Sequence, residues 1–254
     1  QNRSDLMRHA DIAMYIAKKE AATRVFFFDA SVNARVEQAP RIDLALRKAD
    51  IKGEFTLEYQ PQFAAGTRTL VGMEALVRWN SAELGRIGPD EFIPVSEENG
   101  TIVALSDWIL GKALAQIREW NERSASNLVV GINVSPVQLD APDFTEKLER
   151  AIAAAGVRPE WINLEITERS AMKGEDCIMR IFDRLAKAGI ASSIDDFGTG
   201  YSSLSYLKKF DIDYLKIAKQ LIDGIETGDA SETDRQIVRA IIMMASALGM
   251  RTIA

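Results

Sequence analysis

The chain has 254 residues, 47% of them hydrophobic and 27% charged, the balance of a folded protein with a large apolar core. A net charge of -6 argues against a broad nucleic-acid-binding surface, so no DNA or RNA duplex is expected as a partner, but it leaves room for one small phosphate ligand. Cys177 is the lone cysteine, which excludes an intrachain disulfide framework and fits a reducing, cytoplasmic compartment.

Residues 1–30 read as an amphipathic helix, Asp5 to Glu20, with Leu6, Ala10, Ala13, Met14 and Ala17 on one face, followed by a strand from Arg24 to Asp29. Such a helix cannot bury its face alone, so it reads as the tail of something upstream. His9, the only histidine, lies in it; a zinc site or Ser-His-Asp triad built on histidine would have to use it. Metal chemistry here is therefore oxygen-rich, which points to hard cations such as Mg²⁺ or Mn²⁺. Residues 31–53 form a linker and leading helix offering Val32, Val36, Ile42, Leu44 and Leu46 for packing. Pro40 marks either a kink in it or the true helix start.

From Phe55 onward, strands and helices alternate. Predicted strands are 55–63, 70–79, 128–135, 161–167, 190–195, 214–217 and 251–254; the helical stretches are 102–123, 144–155, 175–188 and 232–248. Three of those helices end in Ala155-Gly156-Val157, Ala188-Gly189-Ile190 and Leu248-Gly249-Met250, each with glycine where a left-handed cap is wanted before a strand. Repeated βα units without a Gly-rich dinucleotide fingerprint favour an α/β, TIM-like (β/α) barrel over residues 54–254. The longest apolar run, Ala240 to Met250, is too short to span a bilayer, so no membrane contact is expected of this segment.

Polar residues interrupt the apolar strands near one end. Glu74 and Arg78 lie late in the second strand, Asn133 in the third, Glu165 and Glu168 at the fourth, Asp195 and Asp196 at the fifth, and Lys216 on the sixth. A buried strand carries charge only for a reason. One reading is a set of unrelated structural ion pairs. The other is a catalytic face, at which carboxylates and an amide hold one or two divalent cations about 3.5–4 Å apart and clamp a phosphodiester. Asp195 and Asp196 sit side by side, and neighbouring strand residues point to opposite faces unless the strand twists into its loop there. Taken alone, they are also readable as a solvated acidic turn.

At these residues the chain resembles the EAL domain family, the phosphodiesterases and receptors of cyclic di-GMP. The resemblance rests on Tyr59-Gln60-Pro61-Gln62, Glu74-Ala75-Leu76-Val77-Arg78-Trp79, Glu91-Phe92-Ile93-Pro94, Asn133-Val134-Ser135 and Leu164-Glu165-Ile166-Thr167-Glu168. It continues through the run from Asp195 to Leu204 and Leu215-Lys216-Ile217, and covers about residues 35–254. Residues 5–29 resemble the last helix and strand of a GGDEF diguanylate cyclase domain, without that domain's own signature. The EAL resemblance implies metal-dependent hydrolysis of cyclic di-GMP to linear pGpG. It implies that Glu74, Asn133, Glu165 and Asp195 bind one Mg²⁺ or Mn²⁺, that Asp195 and Asp196 bind a second, and that Lys216 holds the attacking water. Glu168 would anchor the loop after Asp196, and Gln60, Leu76 and Arg78 would contact the dinucleotide, although Leu76 also reads as core. A homodimer through the region after the fifth strand is implied too, with Leu204, Tyr206, Leu207 and Phe210 as candidates.

Two departures from the family pattern stand out. Lys216-Ile217-Ala218 replaces the usual Lys-Ile-Asp, and residues two apart share a strand face, so a carboxylate beside Lys216 is lost. The sequence stops at Ala254, where the family continues with a catalytic glutamate and an eighth βα unit. These departures keep a second function open: a catalytically impaired cyclic di-GMP receptor. The chain retains every metal ligand it is long enough to contain, which favours the enzyme.

Overall fold

Parallel strand pairing dominates the structure, a computed structural model that describes residues 30–172, 175–199, 207–227 and 231–254, together with Met7 and Met14. Those two methionines are helical and exposed; the rest of the helix predicted over 5–20, the strand 24–29 and the segment 200–206 lie outside the described residues. So do Leu204 and Tyr206 of the expected dimer contact. The described chain divides into two units.

The first unit takes in residues up to Thr56 and Arg78–Ile102. Helix α1 (Ala30–Lys48) runs through Pro40 rather than starting there, forgoing one backbone hydrogen bond. Asp50 caps the short α2 (Ile51–Glu54), its side chain accepting from the Lys52 N–H at 3.1 Å. An aromatic cluster fills this unit: Phe55 stacks on the fully buried Trp79 at 5.5 Å, and Phe92 meets both edge-on. The Trp79 indole N–H donates to Glu54 Oε2 at 3.0 Å, so its one polar atom is satisfied.

The sheet begins with β1 (Phe55–Phe63) and β2 (Leu70–Ser81), whose last residues pair antiparallel with β3 (Gly85–Ile87). Helix α3 (Pro89–Asn99) follows the hairpin and ends at Gly100 in the left-handed region. Neither the hairpin nor α3 is legible as periodic pattern, because three residues are too few to alternate and Pro94 breaks the helical reading.

The second unit comprises Leu57–Val77 and Val103–Ala254. Chain order here is α4 (Ile102–Ser124), β4 (Val129–Asn133), α5 (Pro136–Leu139), α6 (Phe144–Ala155), β5 (Ile162–Thr167), α7 (Glu168–Ala171), α8 (Glu175–Ala188) and β6 (Ala191–Phe197). Then come β7 (Tyr214–Ile217), α9 (Lys219–Thr227), α10 (Glu232–Ala247) and β8 (Arg251–Ile253). The sheet order is β1-β2-β4-β5-β6-β7-β8, parallel from β2 and β4 through to β8. This is the sheet of a TIM-like (β/α) barrel lacking one βα unit, with β1 and β8 at the ends of the order. Gly156, Gly189 and Gly249 all have positive φ, the left-handed caps expected from the recurring glycines.

Alternation along each strand separates two environments. Leu164 and Ile166 of β5, with Ile194 of β6 and Leu215 of β7, join Leu148, Phe182, Leu185 and Ile241 from the helices in one core. Each such side chain contributes about 1.5–3 kcal/mol by leaving water. Leu207 and Phe210 belong to this core as well: they are buried, and Phe210 packs on Phe182 at 5.3 Å. They are therefore not available for the dimer contact expected of them. The opposite face of the strands, bearing Glu74, Asn133, Asn163, Glu165, Asp195 and Lys216, is polar.

Candidate active site

Register brings the polar residues together. In the parallel ladder Glu74 lies beside Gly131, Asn133 beside Glu165, and Glu165 beside Ser193, two residues before Asp195. Carboxylate oxygens of Glu74, Glu165 and Asp195 lie within 4.8 Å of one another. Lys216 reaches into the centre of them from β7. Its Nζ donates to Glu74 Oε2 at 2.9 Å, to Asp195 Oδ2 at 3.1 Å, and to Glu165 Oε2. Asn133 Nδ2 donates to Glu74 Oε1 at 2.8 Å, closing the cluster on its β4 side.

Glu165 is fully buried, and Lys216 is 8% exposed. Burial pushes the Glu165 carboxyl up to about 8; Lys216 opposes that shift, while the charges of Glu74 and Asp195 add to it. Burial also works to raise Glu74, but Lys216 and Asn133 outweigh it and hold that carboxyl below its ordinary value. Burial alone would lower Lys216; the surrounding carboxylates prevail and hold it above the usual lysine range, so it is an ammonium.

Asp195 and Asp196 follow an irregular backbone. Their strand carries an irregularity between Ile194 and Phe197, and Asp196 has φ 55, a left-handed conformation that aspartate tolerates better than most residues. The Asp196 N–H turns back to Asp195 Oδ1 at 2.8 Å. Asp195 joins the acidic cluster, whereas Asp196 is exposed and stands outside it.

Glu168 opens α7 directly after β5 and is buried. Its Oε2 accepts from the Gly198 N–H at 3.0 Å, joining the end of β5 to the first residue past β6. Gly198 has φ 101, and a Cβ there would meet Leu221 Cδ1 at 2.7 Å, so the loop leaves its strand by a path that only glycine follows without strain. Of the residues expected to contact a dinucleotide, Gln60 is exposed on β1 and Leu76 half-buried on β2. Arg78 is half-buried and falls in the first unit. Ala218 is buried, its N–H donating to the Phe197 carbonyl at 3.1 Å.

Three residues around Glu165 escape a reading by motif. Gly131 lies where a Cβ would press on the Glu165 carboxylate, 2.9 Å from Cδ. Asn163 Nδ2 donates to Glu165 Oε1 at 3.4 Å and to Ser193 Oγ at 3.1 Å. The signals were an isolated glycine inside a strand and polar residues within otherwise apolar runs.

Fold and site define a TIM-like (β/α) protein with a lysine-bridged carboxylate cluster on the polar face of its parallel strands. The EAL domain matches residues 43–254, and the chain belongs to that family. MucR of Pseudomonas aeruginosa, a bifunctional diguanylate cyclase/cyclic di-GMP phosphodiesterase, is 35% identical over 254 residues, which cover 100% of this chain and 37% of MucR. The cyclic di-GMP phosphodiesterase PdeR of Escherichia coli is 33% identical over 249 residues, covering 98% of this chain and 37% of PdeR. The chain thus spans little more than a third of these relatives. Among solved structures, the PaMucR phosphodiesterase in complex with c-di-GMP superposes with a TM-score of 0.78 at 32% identity, covering 84% of this chain and 85% of that one.

Proposed function

We propose that this domain hydrolyses one 3′–5′ phosphodiester of cyclic di-GMP, giving linear pGpG. The observation that carries the reading is the convergence of Glu74, Glu165 and Asp195, from separate strands, on one small volume beside Asn133 and Lys216. Membership of a family whose relatives are named cyclic di-GMP phosphodiesterases supports the choice of substrate.

The donor set fits a hard divalent cation. Carboxylate and amide oxygens are the ligands Mg²⁺ and Mn²⁺ prefer, and one oxygen from each of the three acidic groups lies close enough to share an ion. Glu74, Asn133, Glu165 and Asp195 would hold one ion, and Asp195 with Asp196 a second. Such ions supply Lewis acidity, activating water and offsetting charge on the phosphodiester. Lys216 Nζ donates to three carboxylates here; with an ion taking up those oxygens, one of its N–H groups would be released to hold the attacking water. Arg78 pairs with phosphate, Leu76 lies against a guanine face, and Gln60 donates to the dinucleotide. Glu168 acts at a distance, holding the loop that begins at Gly198.

Among the described residues no helix is long and apolar enough to cross a membrane. With cyclic di-GMP as substrate and a lone cysteine, we assign the chemistry to the cytoplasm.

The test is incubation of purified protein with cyclic di-GMP and Mn²⁺ or Mg²⁺, followed by chromatography. Formation of pGpG, abolished by a chelator, is expected. Tight binding of cyclic di-GMP without pGpG would replace the hydrolase with a receptor, and no binding would sink both.

A further inference from the structure

Beneath the acidic cluster lies a second, wholly buried layer. Asn163 sits two residues before Glu165 on β5 and shares its face; Gly131 is its register partner on β4, and Ser193 is the register partner of Glu165 on β6. Asn163 is 3% exposed and Ser193 fully buried; the other face of β5 is apolar, with Ile162, Leu164 and Ile166. Burying an amide in such a place is costly unless it is used. Nδ2 is used, donating to Glu165 Oε1 and Ser193 Oγ. Ser193 Oγ in turn donates to the Leu164 carbonyl at 3.4 Å, which fixes the direction of the chain of bonds. Asn163 Oδ1 is buried with no hydrogen-bond partner, so the amide is oriented by what Nδ2 holds rather than by any donor to its oxygen.

Glu165 has two oxygens with distinct duties. Oε2 faces Lys216 and the other carboxylates; Oε1 faces Asn163 and hangs over Gly131, whose missing Cβ leaves the space it occupies. We propose that Asn163 and Gly131 are positioning residues for Glu165: the amide grips Oε1, the glycine makes room for the carboxylate, and together they turn Oε2 toward the cation position. Outer-shell partners of metal-ligating carboxylates commonly set metal affinity in this way, and their loss costs about 10–100-fold. The inference rests on the metal-dependent reading proposed above.

The experiment is calorimetric titration of metal-free protein with Mn²⁺ in the absence of substrate, for wild type, Asn163→Leu, Gly131→Ala and the double variant, each checked by thermal unfolding. Leucine matches asparagine in shape but cannot donate. The added methyl at position 131 displaces only the end of the Glu165 side chain, so the fold survives even if Asn163→Leu proves unstable. Each single variant is expected to bind Mn²⁺ about 10-fold more weakly. The double variant is expected to be little weaker than either, because both changes unseat the same oxygen. Wild-type affinity in Gly131→Ala, or a double effect equal to the product of the singles, would overturn the inference. Absence of Mn²⁺ binding by the wild type would overturn the metal-dependent reading instead, which keeps the two failures apart.

Discussion

Glu168 Oε2 accepts a hydrogen bond from the backbone N–H of Gly198 at 3.0 Å, across 30 residues of sequence. A buried carboxylate at the end of one strand thereby holds the first residue beyond the next. The strand between them carries the register irregularity between Ile194 and Phe197.

Replacing Glu168 by alanine leaves a partly buried N–H without its acceptor, a loss of about 1–3 kcal/mol. We expect the cost to fall on the loop rather than on the whole fold. Amide hydrogen exchange at Gly198 should accelerate strongly while the amides of β5 keep their protection, and pGpG formation should drop. Unchanged exchange at Gly198 alongside lost activity would assign Glu168 a direct part in the chemistry.

Lys216 is the only positive charge donating to Glu74, Glu165 and Asp195 among the bonds described. Lys216→Met removes it and strands buried carboxylates, a change that typically costs about 3–5 kcal/mol. In a chelator the variant should melt well below wild type. Mn²⁺ should restore much of the difference, because a divalent cation can take over the same charge. A variant as stable as wild type in chelator would contradict this account of the cluster.

Stability of the metal-free protein should depend on pH through Glu165. Unfolded, this group titrates near 4.5; folded, burial carries it to about 8. Between those values folding takes up a proton, so stability is fully present below the lower value and falls as pH rises toward the upper one. Glu74 is shifted downward and acts below this window, and Lys216 is shifted upward and acts above it. Urea denaturation in chelator from pH 5.5 to 8.5 should show the decline. Mn²⁺ binding, which needs the ionised carboxylate, should strengthen over the same range.

Trp79→Ala removes the ring on which Phe55 stacks and against which Phe92 packs, together with the donor to Glu54. Large aromatic truncations in a core cost about 3–5 kcal/mol. Denaturant unfolding should report a loss of that size; less than about 1 kcal/mol would mean that this aromatic cluster is not the core of its unit.

Much of the fold can be read from the sequence because its signals are local. Tyr214–Ile217, Phe144–Ala155 and Glu175–Ala188 fall where apolar periodicity puts them, and Gly156, Gly189 and Gly249 adopt the caps their positions suggest. The hairpin strand Gly85–Ile87 and the helix Lys219–Thr227 are set by tertiary pairing and are too short or too mixed to announce themselves. At the site, Glu74, Asn133, Glu165, Asp195 and Lys216 were legible as charges and amides where strands should be apolar. The left-handed φ of 55 at Asp196 was not, since it depends on an irregular register no pattern of residue types encodes. Gly131 and Asn163 were missed for a related reason: their meaning appears only once neighbouring strands fix which side chain lies over which.

The bond from Lys216 to Glu74 joins residues 142 apart, with β4, β5 and β6 between their strands in the sheet. Contacts of such long range carry a large loop-closure entropy, which the intervening strand pairs must offset. A partly paired sheet therefore leaves these acidic residues dispersed. The cluster is therefore complete only when β2, β4, β5, β6 and β7 are all in place, and any slip between β2 and β7 would disperse its charges.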